Sequence, residues 1–249
     1  MSTLVLRAAH RRMIGAWGWA LLFGALASGM ARHGSQVVPA PRPLEELSYY
    51  PSGEHLRPAA LGHAESAADL AWVRAVQYYG EHRYTDNRFV RMEHVFEILT
   101  TLAPHFLPAY VFGSFALEQE GHDFPAAERL MQKGLSENPR SGELAFEAGF
   151  LYFVKPGERD YRQAARYFSQ AARQTDAPPQ AARFAAFSGQ QSGDLSTAYE
   201  LWAEVARTSR NRYLRDMADK EMRAIRAAVQ SGHAERVIRH MPTPVVLMK

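Results

Sequence analysis

Along the stretch DYRQAARYFSQAAR, residues 160–173, the apolar positions are Tyr161, Ala164, Ala165, Phe168, Ala171 and Ala172. Steps of three and four residues mark one face of a helix, and Arg162, Arg166, Gln170 and Arg173 fall on the other face. The same alternation predicts helices within RFVRMEHVFEILTTLAP (88–104), HDFPAAERLMQKGLSENP (122–139), RDYRQAARYFSQAARQTDAP (159–178) and GDLSTAYELWAEVAR (193–207). Each is preceded by another helical pattern, at 68–80, 108–119, 143–154 and 180–191.

The second members of these pairs are self-similar. Those at 122–139, 159–178 and 193–207 share an acidic start, followed in the first two by an aromatic, and then alanine on the buried face. Superposing Ala127, Ala164 and Ala198 gives spacings of 37 and 34 residues, and 35 residues before Ala127 stands Met92. Four residues beyond these anchors come Phe96, Met131, Phe168 and Trp202. Two of the segments end in prolines 35 apart, Pro104 and Pro139. The predicted unit is therefore a pair of antiparallel helices of three to four turns, repeated about four times.

A helix–turn–helix unit of this period resembles the tetratricopeptide repeat family. The residues that carry the likeness are Trp72, Tyr110 with Gly113, and Gly149 with Tyr152 in the first helices. In the second helices they are Ala164, Phe168, Ala171 and nearby Pro178, and Ala127, Met131, Gly134 and Pro139. Small residues let neighbouring helices approach, and a large one fills the gap beside them. The resemblance covers residues 62–208 and implies an all-α, right-handed superhelix. The loops GEHRYTDN and VKPGERD are longer than that family's minimum. Residues 209–231 continue as one helix with an apolar stripe of Leu214, Met217, Ile225 and Val229, expected to cap the last repeat. Asp216–Lys220 and Asp219–Arg223 on it are i,i+4 pairs of favourable order. The tail, 232–249, has no assigned place. Before the repeats, PSG at 51–53 reads as a turn, and Ser66 and Asp69 are candidate caps for the first repeat helix.

The N-terminal end is of another kind. Residues 13–31, MIGAWGWALLFGALASGMA, carry no charge and follow RAAHRR. About 20 apolar residues suffice to span a bilayer, so the stretch reads as a transmembrane signal anchor, or alternatively as a cleaved signal peptide. Three arginines lie in the segment 1–12 before it and Arg32 just after. The positive-inside rule then puts the N-terminus in the cytoplasm and the body in the periplasm, at the inner membrane of a bacterium, or free in the periplasm if the segment is cleaved. Within 32–61, GSQVVPAPRPLE has three prolines in twelve residues and reads as an extended tether. The likeness as a whole is to membrane-anchored bacterial repeat proteins.

Charge sharpens this division. Four of the 29 basic residues and none of the 26 acidic ones fall in residues 1–33, so the remaining body carries 25 against 26, a net of −1. Such a body has no field with which to hold a phosphate backbone, and nucleic-acid binding is set aside. With no cysteine, disulfides, thiolate metal sites and thiol nucleophiles are excluded. His82, His94, His105 and His122 stand near Glu81, Glu93 and Asp123, but without the spacing of a metal site. No nucleotide-binding loop, nucleophile elbow or paired catalytic carboxylates are nominated. No catalytic residue, metal or cofactor is therefore expected.

What remains is architecture. In such an array the first helices line a concave face. Helical phase assigns to it Arg74, Gln77, Tyr110, Ser114, Glu118, Phe146, Phe150, Arg183, Phe187 and Gln190. An aromatic groove of this kind suits an extended peptide or a partner helix. The expected role is a membrane-tethered adaptor or scaffold for a protein partner. The alternatives are a structural accessory subunit of a membrane complex and, third, an envelope hydrolase.

Overall fold

Three aspartates set the rhythm of the structure. The side chains of Asp123, Asp160 and Asp194 accept hydrogen bonds from the backbone N–H of Ala126, Gln163 and Thr197, each three residues on. Each thereby satisfies one of the orphan donors at a helix start, worth about 1 kcal/mol apiece. Their spacings, 37 and 34 residues, are those of the alanine anchors that follow four positions later.

In the computed structural model, residues 23–29 and 51–238 are described. The body of the chain, from Pro51, is one unit. It comprises α1 (Gly53–Ala59), α2 (Ala64–Tyr84), α3 (Met92–Leu102), α4 (Leu107–Phe115), α5 (Phe124–Glu137), α6 (Gly142–Phe153), α7 (Tyr161–Ala172), α8 (Ala181–Gln191), α9 (Leu195–Thr208) and α10 (Arg212–Ser231). A π turn, Ala116–Glu120, extends α4, and a 3-10 turn, Ala234–Arg236, follows α10. The fold is all-α, with no strand among the described residues. Consecutive helices pack in pairs, α2 on α3, α4 on α5, α6 on α7 and α8 on α9, consistent with a repeat-like array. Helix α10 packs on α9, and α1 on α3.

The anchors are where the period puts them. Met92, Ala127, Ala164 and Ala198 are buried, and so are Phe96, Met131, Phe168 and Trp202 four residues on. The next turn buries Leu99, Gly134, Ala171 and Val205. Glycines seat the large side chains of neighbouring helices. A Cβ on Gly149 would lie 2.6 Å from Phe168 Cδ1, and one on Gly134 2.8 Å from the Tyr110 ring. The outer helices are stitched at the same period. Arg129 pairs with Glu93 at 2.6 Å, Lys133 Nζ donates to Thr101 Oγ1 at 2.8 Å, and Asn138 Nδ2 donates to the Pro104 carbonyl at 2.9 Å.

Several local expectations are corrected. PSG does not turn the chain: Ser52 precedes, and Gly53 begins, the short helix α1. The turn comes later, at Leu61 and Gly62, both with left-handed backbone (φ 48° and 91°). Helix α2 then starts at Ala64, so Ser66 and Asp69 lie inside it and cap nothing. It also runs on through GEHRY, where buried His82 bonds Asp86 at 2.5 Å. On α10 the buried stripe is Ala218, Glu221, Ile225 and Ala228, while Val229 is exposed. Of its charges, Arg212 and Asp216 approach to 3.7 Å.

Residues 23–29 are a separate helical segment with exposed side chains. The rest of the predicted span 13–31, the tether from 32 to 50 and the tail from 239 lie outside the described residues. Among the described residues, no helix is long and apolar enough to cross a membrane.

Candidate partner-binding face

Helix α6, GELAFEAGFLYF, is mostly apolar, and its small residues decide how it sits. Ser141 caps it by accepting from the Leu144 N–H at 3.2 Å, and the Gly142 N–H donates to Asp176 Oδ1 at 2.9 Å, across one repeat. Ala145 and Ala148 are buried with Gly149 against the neighbouring helices. Gly149 lets Phe168 of α7 press onto the α6 backbone, and Phe146, Phe150 and Phe153, at steps of four and three residues, share the side next to it.

There they meet the phenylalanines of α8. Phe153 lies 5.5 Å from Phe184 and 6.0 Å from Phe187, ring centre to ring centre. Phe150 lies 6.1 Å from Phe153 and 6.5 Å from Phe184. Tyr161, at the start of α7, closes the group at 5.7 Å from Phe153. Phe146 and Phe168 form its buried floor, each within 5.6 Å of Phe184. Phe150 keeps 40% of its surface in solvent, and Phe153, Tyr161, Phe184 and Phe187 are half-buried. The Arg183 guanidinium lies 5.0 Å over the Phe184 ring, a cation–π contact that holds its charge beside the cluster.

An acidic edge adjoins the aromatics. Glu143, Glu147 and Phe150 follow one another at four and three residues along α6, so they share a face. Burial pushes the Glu147 carboxyl above its ordinary range, and the like charge of Glu143 adds to the shift. The site thus combines half-exposed rings, one arginine and two neighbouring carboxylates.

The structure thus brings together four residues named from the sequence, Phe146, Phe150, Arg183 and Phe187, with Phe146 contributing floor rather than surface. Sequence reasoning missed Phe153, Phe184 and Tyr161. Their signal was present, since Phe153 is one turn beyond Phe150 and Phe184 adjoins Arg183.

Four other residues are corrected, because their side chains are buried and offer no contact to a partner. Tyr110 donates to the Pro104 carbonyl at 3.0 Å, and burial, with the charge of Glu137, pushes its hydroxyl up to about 12. Ser114 donates to the Ala127 carbonyl at 3.2 Å. Glu118 lies in the π turn, bonded to the Gln119 amide, and desolvation raises its carboxyl above the usual range. Gln190, only 1% exposed, is the centre of an internal network. Its Oε1 accepts from Trp202 Nε1 at 2.9 Å, and its Nε2 donates to Glu221 Oε2 at 3.0 Å and to the Val237 carbonyl at 2.9 Å. Arg74 and Gln77 are exposed, but on α2, two repeats earlier than α6.

A cleft of about 450 Å³ lies on the outer side, where Arg162, Arg166 and Ser169 of α7 face Ser192, Asp194 and Thr197 at the start of α9. Asp194 partly offsets its two arginines. Of the histidines, His82 is buried against Tyr78 and Phe89, and His105 bonds Asn138 at 3.0 Å.

Comparison with models of protein families, with curated proteins and with solved structures finds no match for this chain.

Proposed function

We propose that this chain is a tetratricopeptide-type scaffold, tethered to the bacterial inner membrane through residues 13–31, whose periplasmic body binds a protein partner. It has no reaction of its own in this reading. The observation that carries the proposal is the half-exposed cluster of Phe150, Phe153, Tyr161, Phe184 and Phe187 flanked by Arg183. Packing α6 on α7 and α8 needs the floor, Phe146 and Phe168, but leaves these rings open to solvent on one side. Clusters of aromatics with an arginine are the composition of binding hot spots. The partner segment is extended or helical, sets one apolar side chain onto the rings, and carries a lysine or arginine towards Glu143 and Glu147.

The test is affinity capture from detergent-solubilised membranes, followed by titration of the identified partner against wild type, Phe150→Ala and Arg183→Ala. Each substitution is expected to weaken binding by about tenfold or more. Their thermal midpoints should stay near that of wild type, since neither side chain is core. Unchanged affinity in both variants overturns the assignment of this face. A reporter fused at the C-terminus tests the topology, and a cytoplasmic signal overturns the periplasmic placement.

A further inference from the structure

Helix α2 carries apolar residues on both sides. One side buries Ala68, Ala71, Ala75, Tyr78 and His82 in the fold. The other runs Leu70, Val73, Gln77, Gly80, Tyr84, at steps of three and four residues, and faces water. Leu70 is 67% exposed, Val73 51% and Tyr84 91%. Alternating three- and four-residue steps make the seam of a two-helix pairing.

Two details say what covers it. The first is Gly80. It weakens a 21-residue helix that has no internal need of it, because a Cβ there would meet nothing within 4 Å. The second is charge. In an antiparallel pairing of two helices, residues along the same edge of the seam meet one another. One edge of this seam carries Arg74 and Glu81, seven residues apart and opposite in sign.

We infer that α2 pairs antiparallel with α2 of a second copy of this chain, about a two-fold axis level with residues 78 and 79. In that register Tyr84 of each copy lies over Val73 of the other, and Gln77 lies beside Gly80. The larger residue then faces the smaller one in each of the four layers, and Leu70 lies beyond the last of them. A parallel pairing would set Tyr84 on Tyr84 and leave a void between the two glycines. Arg74 of each copy meets Glu81 of the other, so the two-fold axis doubles the ion pair. This surface is independent of the aromatic face on α6 and α8.

The experiment measures the mass of the full chain in detergent by light scattering and sedimentation, with protein in the micromolar range. Wild type is expected at twice its 28.0 kDa chain mass. Arg74→Glu and Glu81→Arg each set like charges against one another and should raise the dissociation constant at least about tenfold. An equimolar mixture of these two variants restores both ion pairs and should recover the dimer as a heterodimer. Circular dichroism of each variant confirms that the fold is kept. A monomeric wild type, single variants that stay dimeric, or a mixture that stays monomeric each overturns the proposal.

Discussion

One methyl group at residue 149 would change the packing of the third repeat. A Cβ there meets three atoms of the Phe168 ring, at 2.6, 2.8 and 2.9 Å, and the ring is itself fully enclosed. Gly149→Ala should therefore destabilise the fold by about 1–3 kcal/mol, the usual cost of overpacking a closed core, although alanine favours helix more than glycine does. A denaturant titration reads it, and an unchanged or raised midpoint would show that Phe168 has room to move. Two residues away, Glu147 makes a prediction of the opposite sign. Its carboxyl titrates above the ordinary value in the fold, with burial the larger cause and Glu143 the smaller. A raised folded value means that this group's contribution is fully favourable below about pH 4.3 and is lost as pH rises through the folded value. Glu147→Gln should accordingly be more stable than wild type at pH 7, with the difference vanishing in acid. Thermal midpoints across pH check this, and a constant difference would exclude titration as its cause.

At the scale of the element, three of the four second helices, α5, α7 and α9, are started by an aspartate and held by small residues that recur at the same period. Asp160→Ala and Asp194→Ala should each cost about 1 kcal/mol, by removing the bonds to the Gln163 and Thr197 N–H groups. A midpoint unmoved in either variant would show that water replaces the cap. The alanine anchors and the large residues four positions on were legible in the sequence, because they are local and repeat; the caps were not, since the two read from the sequence, Ser66 and Asp69, lie inside α2. What was not legible has identifiable causes. Helical phase gives a side chain's direction from its own axis, not which neighbour lies there. Tyr110 and Ser114 point from α4 as expected, yet α5 and the residues after α3 cover them. Glu118 sits within a π turn, whose wider winding takes it out of the α-helical phase of the residues before it. Gln190 resembles a surface amide until its partners are known, and they come from 12, 31 and 47 residues downstream. No short window of sequence holds that network.

On the scale of the whole molecule, stability in a stacked array is carried by each pair of helices and its immediate neighbours. The C-terminal end of this array is closed by a shared core. Trp202, Ala198 and Val205 of α9 pack with Ala218, Ile225 and Ala228 of α10 and with Val237 beyond it. Removal of the chain from residue 212 onward takes away all of that cover. It also leaves Gln190 without Glu221 and the Val237 carbonyl, so a buried amide loses two acceptors, at a cost of about 1–3 kcal/mol in addition to the lost apolar burial. The third repeat has its own core, in which Ala145, Phe146, Ala164, Phe168 and Ala171 pack with Ala181 and Ala185 of α8. None of that core's residues comes from α10. Truncation at residue 211 is therefore expected to release α9 and the C-terminal half of α8, while α3 to α7 keep their protection. Amide hydrogen exchange resolved by helix distinguishes the cases. Fast exchange confined to α8 and α9 fits nearest-neighbour coupling along the array. Equal loss of protection from α3 to α9 would mean that the body folds as one cooperative block. The aromatic face on α6 and α8 would then depend on the capping helix as much as on its own repeats.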